Sequence, residues 1–419
     1  MTTAARIPAI AVAVWISTLA AAPPASSPDH SALLSTLTPG AHRVGFTVLR
    51  MTDPSRRFGA SQRPVQISVW YPAALGASQQ RMTYRDYLRD LETEADTRPL
   101  TPQLAAKGVA EGVAFFSSLG ATNDAIERLM AEPTLAFRDA PRGTGRYPAV
   151  LLAVGKDESP VLHTVLAEYL ASHGFAVAGI PTVGANSRGI QFDTESVRSN
   201  VGDLEFAARV LLREHLVAPG PMGVVGYSFG GGSALLLAAR HGWIGAAVSL
   251  DGAIGFADRR AIYELPPALP TQRPCAPLMH VNVSGNPRND LVSVDRLACG
   301  PRYVLGFAGA EHADFSSIGL FEGVIENFRG PGWILPRSTA PARTTALAYR
   351  YTLHFLDAYL RGNVESTRFL MARPEANGAP NGTLDISRTH ISPGSDLGTS
   401  LEPAGPAGEG LGRARRQRK

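Results

Sequence analysis

Met222-Gly-Val-Val-Gly-Tyr-Ser-Phe-Gly-Gly-Gly-Ser-Ala-Leu-Leu-Leu-Ala-Ala-Arg240 is the stretch whose reading decides the fold. Met222–Tyr227 is a continuous apolar run, as a strand buried on both faces requires. Ser233–Arg240 reads as an apolar helix. Between them lies Gly226-Tyr-Ser-Phe-Gly230, which fits G-x-S-x-G in the strand–turn–helix context that gives this pattern meaning. The turn is tight and strains the central residue, so its neighbours two before and two after must be small for strand and helix to pass. Gly226 and Gly230 meet that need, and Gly231 and Gly232 relax it further. A phosphate-binding Gly-rich turn is the competing reading, but no nearby Lys or second Gly-rich element supports it. Ser228 is the candidate nucleophile.

Outward from this turn, strands and helices alternate. The strands are Pro148–Val154, Phe175–Ile180, Ile244–Leu250, Leu278–Val283 and Tyr303–Phe307, with helices near Val161–His173, Ser196–His215 and Thr344–Leu360. Such alternation specifies α/β architecture, a mostly parallel central sheet flanked by helices. Two earlier runs, Val44–Met51 and Val65–Tyr71, read as strands, the second as a half-buried antiparallel one because Val65, Ile67 and Val69 alternate with Gln66 and Ser68. Residues 82–135 read as a helical insertion that no strand interrupts.

A serine hydroxyl needs a base, and in this arrangement the acid and then the histidine follow the serine. Five histidines follow Ser228. His241 is too close to the nucleophile helix, His280 lies within a strand, His354 within the last helix, and His390 near the tail. His312 follows Tyr303–Phe307 in a loop at a strand end, where open parallel sheets place catalytic groups. For the acid, Asp251 follows Ile244–Leu250, while Asp290 and Asp295 follow Leu278–Val283. Residue placement alone leaves Asp251 and Asp290 even.

Gly226-Tyr-Ser-Phe-Gly-Gly231, Ser249-Leu-Asp-Gly252 and His312-Ala-Asp-Phe315 together resemble the platelet-activating-factor acetylhydrolase family. So do Ser172-His-Gly-Phe-Ala-Val177 and the early Gly45-Phe and Val69-Trp-Tyr-Pro72. The resemblance runs in order over about residues 40–365, which it marks as one catalytic domain of the α/β-hydrolase fold. It implies a serine esterase with a Ser228–His312–Asp251 triad, acting on short or oxidised, lipid-like acyl esters, a lipid-degrading activity with transient contact to lipid surfaces. Tyr227 stands where the family has His, and the family's His-Gly segment reads Val154-Gly-Lys-Asp157 here. By position, the backbone N–H groups of Phe229 and Lys156 form the oxyanion hole. A lipase, polyesterase or peptidase would use the same triad, and a binding protein on this fold is the reading from a different class.

Composition narrows the rest. Of 40 basic residues only Lys107, Lys156 and Lys419 are lysines, and the one basic cluster is Arg413–Lys419. Net charge +4 without a recognition pattern does not make a nucleic-acid binder. Neither H-E-x-x-H nor G-x-G-x-x-G occurs where a metal or dinucleotide would need it, so no cofactor is expected. Arg6 followed by apolar Ile7–Ala22 reads as a signal peptide over residues 1–25, which points to a secreted or periplasmic protein. The only cysteines, Cys275 and Cys299, then read as a disulfide. The Gly-, Pro- and Ser-rich tail over 388–419 reads as disordered.

Overall fold

A computed structural model of the chain describes residues 31–74, 76, 79–263, 275–321 and 340–389. The expected signal peptide and the tail from residue 390 lie outside these. Among the described residues one sheet of eleven strands runs in the order β11-β10-β9-β8-β7-β5-β6-β2-β1-β4-β3. Its strands are β1 Arg43–Phe58, β2 Ser61–Ala73, β3 Arg81–Thr83, β4 Pro133–Arg138, β5 Ala149–Ala153, β6 Ala176–Ile180, β7 Met222–Tyr227, β8 Ile244–Leu250, β9 Leu278–Val283, β10 Arg302–Phe307 and β11 Leu384–Thr389. From β10 through β6 every pairing is parallel. The β2 pairings with β6 and β1, β3 with β4 and β11 with β10 are antiparallel, whereas β1 and β4 pair in parallel.

Alternate residues of each inner strand feed two cores. In β5, Val150 and Leu152 pack on one face and Ala149, Leu151 and Ala153 on the other. The first face is covered by α1 Tyr84–Leu88, α2 Pro102–Ser118, α3 Asn123–Ala131, α4 Thr164–Ser172 and α9 Pro341–Arg361; the second by α5 Thr194–Arg213, α6 Phe229–Arg240 and α7 Val292–Leu297. Two short helices, α8 Ile318–Phe321 and α10 Val364–Met371, complete the set. Local chemistry sets the ends. Asp193 caps α5 by accepting the Ser196 N–H (2.7 Å), Pro341 opens α9, and Gly362 closes it at φ 65°.

Three features differ from what the sequence implies. The insertion is helical inside but opens with β3 and closes with β4, which extend the sheet; β3 has only three residues, and β4 buries the small Thr134 and Ala136, so neither gives an apolar alternation in sequence. Strand β2 is buried on both faces rather than half-buried. Its buried Gln66 is satisfied by the insertion, donating to the Asp90 carbonyl (3.2 Å) and accepting from the Thr93 hydroxyl (2.7 Å). The ordered domain also runs past residue 365, and Arg388 and Thr389, placed in the tail by composition, pair with β10 as part of β11. Cys275 and Cys299 form a disulfide, closing a loop between the start of β9 and the approach to β10.

The insertion is pinned to the sheet by a buried polar chain. Trp70 Nε1 of β2 donates to the Tyr87 hydroxyl of α1 (2.9 Å), which donates to Glu168 of α4; the other Glu168 oxygen accepts the Leu135 N–H of β4 (2.8 Å). Burial pushes the Glu168 carboxyl up from 4.5 to about 7, against the pull of Tyr87, Leu135, Arg81 and Thr134. The folded chain therefore holds this proton more tightly than the unfolded one. The resulting stability is complete below pH 4.5 and is lost as pH rises through about 7. Unfolding by urea across that range should show wild-type stability falling more steeply than that of Glu168→Gln; superimposable pH profiles would contradict the assignment.

Candidate active site

In chain order the sheet grows one way from β5 to β6, then returns to place β7 on the other side of β5. Such a reversal opens a crevice at the carboxyl ends of the strands. The loop after β5 carries Lys156, and the turn after β7 carries Ser228.

Ser228 is held at φ 53°, ψ −118°, outside the regions an L-residue ordinarily occupies. The surroundings enforce this. Its N–H donates to the Leu250 carbonyl (3.1 Å), and its own carbonyl accepts from Gly231 (3.1 Å) and Ala253 (2.8 Å). A Cβ at Gly226 would strike the Gly230 backbone, and one at Gly230 would strike the carbonyl of Ala153 at the end of β5. Phe229 opens α6, so its N–H belongs to the first turn, which has no partner within the helix.

Asp251 ends the next strand, also at positive φ (42°), with its N–H on the Val281 carbonyl (2.7 Å). Its side chain is 1% exposed, and Oδ2 lies 2.6 Å from Nδ1 of His312, itself 18% exposed. A carboxylate only accepts, so Nδ1 is the donor, and in the neutral ring that tautomer leaves Nε2 its lone pair. Burial pushes the neighbouring His280 down to about 4 despite the attraction of Asp251, so at neutral pH it brings no second cation to this carboxylate. His280 instead faces the Ser249 hydroxyl (3.1 Å).

The alternatives lie elsewhere. Asp290 pairs with Arg260 and accepts the Val292 N–H (3.0 Å), and Asp295 pairs with Arg302. His241 pairs with Glu205 (2.7 Å) and His354 with the Ser366 hydroxyl (2.9 Å); His390 is outside the described residues. Lys156 pairs with Asp157, half-exposed at the mouth of a cleft of about 720 Å³. That cleft is bordered by Tyr227 and Ala313, the neighbours of Ser228 and His312, and walled by Phe115, Phe116 and Leu119 of the insertion.

Tyr227 does more than fill the elbow position where the resembled family has His. Tyr227 stacks on His312, ring centroids 4.8 Å apart at 26°, and donates its hydroxyl proton to the His312 carbonyl (3.2 Å). Its place directly before Ser228 was the available signal, but a stack across 85 residues of chain is a tertiary fact.

No protein-family model matches the chain, and no curated protein matches it by sequence. Among solved structures it is similar to a ferulic acid esterase from Streptomyces cinnamoneus. The TM-score is 0.58 at 21% identity, over 84% of this chain and 98% of that one. The likeness agrees with the mostly parallel sheet and its flanking helices: the chain has the α/β-hydrolase fold.

Proposed function

We propose that this chain is a serine esterase that hydrolyses small-molecule carboxylic esters through Ser228, His312 and Asp251. The observation that carries the reading is the 2.6 Å contact of buried Asp251 with His312 Nδ1, beside a serine on a strained strand–helix turn.

The chemistry follows from that arrangement. Ser228 Oγ bonds to the ester carbonyl carbon while His312 Nε2 takes the hydroxyl proton, and Asp251 stabilises the imidazolium. The N–H groups of Phe229 and Lys156 receive the negative charge on the former carbonyl oxygen. Collapse breaks the bond to the alcohol, which leaves with the proton from His312. Water then attacks the acyl-serine, giving its proton to His312; the carboxylic acid departs and Ser228 recovers its hydrogen. The cleft volume suits a drug-sized ester. The resemblance to platelet-activating-factor acetylhydrolases favours short or oxidised acyl groups, and the fold shared with a ferulic acid esterase favours esters over amides.

The triad assignment is tested with p-nitrophenyl esters. Asp251→Asn should lower kcat by roughly 10⁴ through loss of the useful His312 tautomer, and Ser228→Ala by roughly 10⁶. Asp290→Asn should stay within about tenfold of wild type, as a surface ion-pair substitution. Loss of activity in Asp290→Asn with Asp251→Asn still active would overturn the assignment.

We also propose export. The apolar segment Ile7–Ala22 supports it, the disulfide is compatible with an oxidising compartment, and no described helix is long and apolar enough to cross a membrane. Intact mass of exported protein should place the mature N-terminus between about Ala20 and Asp29; a full-length mass in the membrane fraction would contradict this.

A further inference from the structure

The turn that presents Lys156 is built around one carboxylate oxygen. Glu158 N–H donates back to the Gly155 carbonyl (3.3 Å), and Glu158 Oε2 accepts the Gly155 N–H (2.9 Å). Only glycine allows that return, since a Cβ at position 155 would lie 2.7 Å from the Glu158 carboxyl carbon. Between them Asp157 sits at φ 54°, its Oδ1 accepting the Ile190 N–H at 2.7 Å. The Lys156 N–H thus belongs to a turn tied at both ends.

The same Glu158 Oε2 lies 3.1 Å from Nε2 of His163. Because the carboxylate accepts, Nε2 is the donor. His163 is fully buried on the short 3-10 turn Pro160–His163, and its ring centroid is 5.1 Å from that of Tyr227. Tyr227 in turn stacks on His312. One oxygen therefore fastens the oxyanion turn and, through two buried rings, backs the base. Glu158, His163 and Tyr227 meet none of the substrate's reacting atoms, yet together they link the oxyanion turn to the base.

We propose that Glu158 is a positioning residue, which fixes the Gly155–Lys156 turn so that the Lys156 N–H meets the oxyanion and which braces His312 through His163 and Tyr227. The inference rests on the esterase reading. Since both bonds end on one oxygen, the site needs an acceptor at that point and not a charge, and an amide oxygen placed there serves equally.

The test compares Glu158→Ala and Glu158→Gln with wild type. It uses kcat and KM on p-nitrophenyl butyrate, inhibition by a trifluoromethyl ketone whose serine adduct carries the oxyanion, and hydrogen exchange of the Gly155 amide. In Glu158→Ala, kcat and affinity for the ketone should fall together by about 10², with KM within about threefold. Gly155 exchange should speed up, and Glu158→Gln should restore all three to within about tenfold of wild type, because the acceptor is retained. The proposal is overturned if Glu158→Gln is as impaired as Glu158→Ala, if kcat and KM change only in step with a lowered Tm, or if Gly155 exchange is unchanged. Exchange is read without turnover. A wild-type chain that hydrolyses no ester would thus sink the esterase reading, while exchange still decides whether Glu158 holds the turn.

Discussion

The site depends on helix α6 starting almost in contact with the ends of β5 and β8. At Gly231 an added methyl group would lie 2.6 Å from Gly252 Cα and 2.9 Å from Ser249 Oγ, and at Gly232 it would enter the ring of Tyr263. The run of glycines after Ser228 therefore fixes a distance between helix and sheet. That distance brings the α6 N-terminus beside the loop that follows β5. It also forces the serine into backbone angles that only a surrounding framework of hydrogen bonds maintains. Strain of this kind costs on the order of 1–3 kcal/mol.

Around that turn the parallel strands place chemistry by their ends. Lys156 follows β5, Ser228 follows β7, Asp251 follows β8 and His312 follows β10. Because adjacent strands run the same way, groups far apart in sequence arrive on one rim, and the reversal of strand order leaves the crevice there open. Burial then sharpens the electrostatics. Asp251 is removed from water, its partner is a single imidazole, and nearby His280 stays neutral, so the carboxylate acts on the orientation and charge of His312.

Much of this was legible from residues alone. Strands β5 to β10, the turn at Ser228 and the placement of His312 announce themselves through continuous apolar runs, glycine spacing and position after a strand. Asp251 was separable from Asp290 in sequence only by resemblance; in the structure Asp290 is occupied by Arg260. What the sequence hid is tertiary. The second buried face of β2 exists because the insertion folds over it, and Gln66 looks solvent-facing until its partners Asp90 and Thr93 are known. Edge strand β3 has only three residues, too few for a period to show, and β4 buries the small Thr134 and Ala136, which give no apolar signal. Tyr227, Glu158 and His163 are ordinary residues in sequence and acquire their roles only from what lies against them.

Ser228 is the proposed activated nucleophile. Labelling of the intact chain with a fluorophosphonate, followed by peptide mass spectrometry, tests it most directly. One stoichiometric phosphonyl adduct is expected, on the peptide containing Ser228, absent in Ser228→Ala and much slower to form in His312→Ala. An adduct on another serine, or no adduct on folded protein, would contradict it.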